Sequence, residues 1–143
     1  MNDARNIRLL MVEDDENDVL LLTRAFRTHC PTLEIEVVMD GEEAVRRLAG
    51  MASESLPDRI LLDLKLPRRS GIEVLRWIRS RPELRHLSVT LLTSSNEPSD
   101  LEQIRELGVD EHIVKPVDFR KLLDVTQGLC GRWGVAVPRR RTG

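Results

Sequence analysis

Five apolar, β-branched runs alternate with five helical repeats along this chain, and no other feature restricts its fold so tightly. Ile7-Arg8-Leu9-Leu10-Met11-Val12 reads as a first strand. A helical spacing follows at Val19, Leu22, Ala25 and Phe26, within Asn17 to His29. Pro31 breaks that helix, and Glu34-Ile35-Glu36-Val37-Val38 alternates like a half-covered strand. Asp40, with Glu43 three residues on, resembles a capping box ahead of the stripe Ala44, Val45, Leu48 and Ala49. Gly50 to Pro57 is a polar connection, and Arg59-Ile60-Leu61-Leu62-Asp63 is a short strand ending on a carboxylate.

The same rhythm continues. Gly71 to Ser80 is a predicted helix with Ile72, Leu75 and Ile78 at core spacing, and Ser88 to Thr93 a strand ending on a hydroxyl. A fourth helix is expected from about Pro98 to Gly108, using Leu101, Ile104 and Leu107. Glu111-His112-Ile113-Val114 is the fifth strand, before Lys115-Pro116. The last helix opens at Asp118 and buries Phe119, Leu122, Leu123, Thr126 and Leu129. Five βα units in succession argue for one domain built on a parallel sheet with helices on both faces. Strands that are apolar almost throughout fit a sheet covered on both sides.

In an open parallel sheet the ligand crevice lies beyond the carboxyl ends of the strands. Glu13, Asp14 and Asp15 follow the first strand, Asp63 ends the third, Thr93 the fourth and Lys115 the fifth. Carboxylates gathered at one place repel each other unless a cation neutralises them. Mg2+ suits that task because it takes hard oxygen ligands, few of them carboxylates, and keeps several waters. Asp63 would then be a nucleophile toward phosphorus. The transferred group spreads charge over oxygens that Mg2+, Lys115 and the Thr93 hydroxyl could each meet. Any one of these residues alone reads as a turn, a cap or a solvated charge, and Asp15 and Glu16 do read as cappers of the first helix. The joint pattern at successive strand ends carries the chemistry.

Composition narrows the partners. The net charge is −2, but residues 132–143 hold Arg132, Arg139, Arg140 and Arg141 and no acid, leaving 18 basic against 24 acidic residues elsewhere, a net −6. An acidic body argues against nucleic-acid binding, which needs a basic face, and the Arg-rich end reads as a solvated tail. No apolar run approaches the roughly 20 residues of a membrane span, and no secretion signal opens the chain, so no membrane role and a cytoplasmic location are expected. Cys30 and Cys130 fall in different predicted helices and read as small buried hydrophobes. Neither has a partner at zinc-ligand spacing.

Taken together, Val12-Glu13-Asp14, Leu62-Asp63 with Pro67 and Gly71, Leu92-Thr93-Ser94 and Val114-Lys115-Pro116 resemble the receiver domain of two-component response regulators, from Ile7 to Trp133. The resemblance implies a flavodoxin-like α/β fold of strand order 2-1-3-4-5, with boundaries at 1–6 for an N-terminal extension, 7–131 for the receiver and 132–143 for a basic tail. It makes Asp63 the site phosphorylated by a sensor histidine kinase. Asp14 becomes a direct metal ligand, Glu13 one acting through water, and the backbone carbonyl of Lys65 a further ligand. It also implies a cis peptide between Lys115 and Pro116. Lys65 and Ser95 flank the route of an attacking water, so Lys65 is expected to tune the lifetime of the acyl phosphate. His112 departs from the pattern, standing where such domains carry Tyr or Phe as a switch residue, and brings a side chain able to charge near neutral pH.

More narrowly, residues 12–19, 63–71 and 91–95 resemble single-domain regulators paired with bacterial phytochromes. The short stretch after the fifth helix carries no helix-turn-helix, so output is expected from the domain's own surface or by passing the group to a histidine phosphotransfer protein. Homodimers through the fourth and fifth helices occur in such regulators; Phe119, Leu122, Leu129 and Trp133 supply apolar material for one, Trp133 foremost as a residue beyond the helix. Three competing readings fare worse. A haloacid-dehalogenase-like phosphatase needs a second Asp two residues after its nucleophile, where Lys65 stands. A receiver that has lost phosphorylation would lack the acids or Lys115. A nucleotide-binding flavodoxin-like protein would carry a Gly-rich loop after its first strand. No turnover of an external substrate is expected.

Overall fold

The computed structural model describes residues 5–93 and 98–136. The chain runs β1 (Arg8–Val12), α1 (Glu16–His29), β2 (Glu34–Val38), α2 (Gly41–Ala49), β3 (Arg59–Leu62), α3 (Gly71–Ser80), β4 (Ser88–Thr93), α4 (Pro98–Leu107), β5 (Glu111–Val114) and α5 (Phe119–Trp133). The strands form one sheet in the order β2-β1-β3-β4-β5, all neighbours parallel. The order reverses at β1, and β1 and β3 open the crevice in which Asp63 lies.

Caps start the helices where the sequence places them. Asp15 accepts from the N–H groups of Asn17 and Asp18, Asp40 from Glu43, Ser70 from Glu73 and Asp118 from Arg120. Each satisfies donors that a helix N-terminus leaves unpaired, typically about 1 kcal/mol apiece. Alternation along the strands then divides the core. Leu10, Val12, Ile60, Leu62, Val89 and Leu91 face Ala44, Leu48, Leu75, Ile78 and Ile104 of α2, α3 and α4. Leu9, Met11, Leu61 and Leu92 face Leu22, Phe26, Leu122, Leu129 and Trp133 of α1 and α5.

Two expectations change here. Cys30 and Cys130 are buried, but they are a disulfide and not two independent small hydrophobes. α1 and α5 lie side by side on one face, which brings Cα atoms 100 residues apart in sequence to 6.6 Å, within bridging range. Trp133 ends α5 and does not stand beyond it: Gly134 terminates the helix in the left-handed region, at φ 76°. The Trp133 ring stacks on Phe26 with centroids 5.8 Å apart, and it is buried, as are Leu122 and Leu129, so within the chain these three serve the core. Phe119 packs partly buried against the same core. Apolar side chains at helical spacing go inward when a sheet face is available to cover. Arg132 sits in α5 and pairs with Glu111 at 2.6 Å, while Arg139, Arg140 and Arg141 lie outside the described residues. At the other end Arg5 grips Asp58 through two hydrogen bonds of 2.9 and 2.7 Å.

Candidate functional site

Asp63 immediately follows β3 and is 7% exposed. One carboxylate oxygen accepts from the backbone N–H of Lys65 at 3.1 Å, and the other from the Lys115 ammonium at 3.1 Å. Two glycines permit this placement. A Cβ on Gly71 would lie 2.2 Å from the Asp63 carbonyl oxygen, and one on Gly41 would lie 1.9 Å from that of Arg69. α3 and α2 therefore begin directly against the loop that carries Asp63. Within that loop Arg68 takes a left-handed φ of 69°, and its guanidinium lies 3.6 Å from Asp40.

β1 delivers Glu13 and Asp14 to the same place. Glu13 is buried, Asp14 exposed, and carboxylate oxygens of Glu13, Asp14 and Asp63 lie within 4.8 Å of one another. Glu13 accepts from Lys115 at 2.5 Å and, through its second oxygen, from the Asp15 N–H at 3.2 Å. Burial pushes the Glu13 carboxyl up to about 7, the Asp63 charge adds to that, and Lys115 holds it back. A cluster that raises the cost of its own ionisation in this way is matched to a divalent cation, and its donors are the hard oxygens that Mg2+ or Mn2+ prefers.

Lys115 enters from the end of β5, its backbone N–H donating to the Thr93 carbonyl at 2.7 Å. Burial alone would lower its ammonium; hydrogen bonds to Asp18 and Glu13 and the charge of Asp63 more than offset that and push it up. Asp18 is the residue that sequence reading missed. It accepts from Lys115 at 2.7 Å. Its signal was its place in the first turn of α1, directly after the acids that end β1. Thr93 ends β4 fully buried, so the expected acids, hydroxyl and ammonium all stand at strand ends on one side of the sheet. The Lys115–Pro116 peptide is trans, contrary to expectation: no cis bond occurs among the described residues. Trans is the preferred X–Pro isomer by about 0.5–1 kcal/mol, and Lys115 reaches all three carboxylates with it.

His112 pairs with Leu91 across β4 and β5, half-buried, its Nε2 enclosed without a hydrogen-bond partner among the described residues. Lys65 is exposed, and Ser94 and Ser95 lie outside the described residues. A cavity of about 490 Å³ sits at the far end of the strands, lined by Arg8, Glu36, Arg47, Met51 and Pro57 among others, and none of the site residues borders it.

Comparison with known proteins agrees with this geometry. The family model described as "Response regulator receiver domain" matches residues 9–127. The probable methanogenesis regulatory protein FilR2 of Methanothrix harundinacea is 35% identical over 127 residues, 87% of this chain and 82% of that protein. Response regulator Rcp1 of Synechocystis is 31% identical over 128 residues, 87% of each chain, and its Mn(2+)-bound crystal structure superposes with a TM-score of 0.80. The phosphorylated cyanobacterial phytochrome response regulator RcpA superposes with a TM-score of 0.83 at 31% identity, over 94% of this chain and 99% of that one. Among the described residues no helix is long and apolar enough to cross a membrane. With a five-stranded parallel sheet of order 2-1-3-4-5, acids at the first and third strand ends and a lysine at the fifth, this chain belongs to the response regulator receiver domain family.

Proposed function

We propose that Asp63 accepts a phosphoryl group from a sensor histidine kinase, and that this modification is the signal the protein carries. The observation that bears most weight is the environment of its carboxylate: buried, fixed at both oxygens, and set among Glu13, Asp14 and Lys115. In the transfer an Asp63 oxygen forms a bond to phosphorus as the bond from phosphorus to the donor imidazole nitrogen breaks, its electron pair returning to the ring. Glu13, Asp14 and Asp63, with the Lys65 carbonyl, are the residues that would hold Mg2+, which when bound neutralises the charge on the transferring group. Lys115 and the Thr93 hydroxyl meet the remaining phosphoryl oxygens.

Leu20 and Leu21 on α1, and Val114 and Val117 on either side of Lys115 in sequence, are exposed large apolar side chains. The Asp18–Lys115 pair ties the two segments together, and these exposed side chains are the surface we assign to the kinase. Similarity to RcpA, described as a phytochrome response regulator, supports a phytochrome-type kinase. The phosphorylated form would be read on α4, β5 and α5, with His112 in the switch position, through a partner, a second copy or onward relay to a histidine phosphotransfer protein. No external substrate is turned over.

Incubation with Mg2+ and phosphoramidate tests the acceptor by intact mass. Gain of one phosphoryl group by the protein but not by Asp63→Asn is expected. Uptake by both would move the acceptor elsewhere. If neither takes up the group and beryllofluoride fails to bind in the presence of Mg2+, the acceptor reading is lost.

A further inference from the structure

We propose that Asp18 is a positioning residue for phosphoryl transfer: it holds one hydrogen of the Lys115 ammonium in the resting protein and releases it as the phosphoryl group arrives. An ammonium has three hydrogens to donate. Here they go to Glu13 at 2.5 Å, Asp18 at 2.7 Å and Asp63 at 3.1 Å. A phosphoryl group on Asp63 brings charged oxygens that need a donor, and Lys115 is the side chain that already touches that carboxylate. Its hydrogens are committed, so one bond has to be exchanged.

The three carboxylates do not part with it equally. The side chains of Glu13 and Asp63 are 3% and 9% exposed, and a buried anion stripped of its cation is costly. Asp18 is 35% exposed, in the first turn of α1, where water and the helix N-terminus both stabilise a carboxylate. Asp18 is thus the partner released most easily. An interaction present before transfer and lost during it stabilises the ground state over the transition state and slows the step. Asp18 acts as a brake, and Lys115 keeps its place without it because Glu13 and Asp63 remain. The inference rests on Asp63 being the acceptor.

Uptake rates from phosphoramidate with Mg2+ are measured for the unaltered protein, Asp18→Asn, Asp18→Glu and Glu16→Gln. Glu16 is an exposed acid of the same helical turn and controls for loss of charge alone. Asp18→Asn is expected to take up the group at least threefold faster, Asp18→Glu to stay within twofold of the unaltered rate, and Glu16→Gln to change nothing. Equal or slower uptake by Asp18→Asn, or the same acceleration in Glu16→Gln, overturns the proposal. A second readout is the 15N resonance of the Lys115 ammonium in lysine-labelled protein, with exposed Lys65 and Lys121 as references. It is expected to be protected from solvent exchange in the unaltered protein and less so in Asp18→Asn; identical exchange in both refutes the hold. Absence of uptake by the unaltered protein counts against the acceptor reading, whereas the resonance still decides the role of Asp18.

Discussion

At the scale of single residues, the most demanding positions are those where backbone meets backbone. Gly71 is one, since any side chain there would press on the Asp63 carbonyl. Gly71→Ala is expected to destabilise the fold by about 1–3 kcal/mol through overpacking and to slow uptake at Asp63 by displacing its loop. Urea denaturation and intact mass check the two effects; unchanged stability would mean the loop yields freely. Gly71 was legible in the sequence as part of the receiver pattern, but its neighbour in space was not. Asp63, Glu13, Asp14, Thr93 and Lys115 were legible because strand ends converge by topology. Asp18 was not, because its role depends on how far the Lys115 side chain reaches and in which direction.

At the scale of elements, α1 and α5 share one face of the sheet and are tied at their ends by Cys30 and Cys130 and by the Phe26–Trp133 stack. A bridge closing a loop of 100 residues constrains the unfolded chain strongly. Its reduction is expected to cost about 2–4 kcal/mol. Urea midpoints with and without reductant measure this, and Cys130→Ser should match the reduced protein and no longer respond to reductant. If the oxidised and reduced forms unfold at the same midpoint, the bridge contributes nothing. Two cysteines a hundred residues apart carry no pairing information by themselves. The side-by-side packing of the first and last helices creates it.

For the whole molecule, acid stability depends on charges that join distant segments. Asp58 accepts from the Arg5 guanidinium and from the Arg8 N–H, bringing together the N-terminal segment, β1 and the lead into β3. Burial opposes ionisation of this carboxyl, but Arg5 and Arg8 outweigh it and hold it below its ordinary value. A depressed carboxyl contributes stability that is complete above its unfolded value, about 3.9, and is lost as pH falls through the folded one. Asp58→Asn should therefore be less stable than the unaltered protein near pH 7, with the gap narrowing as pH falls below about 3.9 and smaller at about pH 3. A gap of equal size at both pH values would show that charge plays no part.

By itself the sequence determined the order and type of the elements, their caps and the strand ends that carry acids, hydroxyl and lysine. Periodicity, capping residues and turn formers act over a few neighbours, and parallel βα repetition then leaves little choice of topology. Tertiary structure alone decided the Cys30–Cys130 pairing, the inward turn of Trp133 and the place of Asp18 on Lys115. Each depends on which side chains two packed elements bring within a few ångströms, a distance that no spacing along the chain encodes.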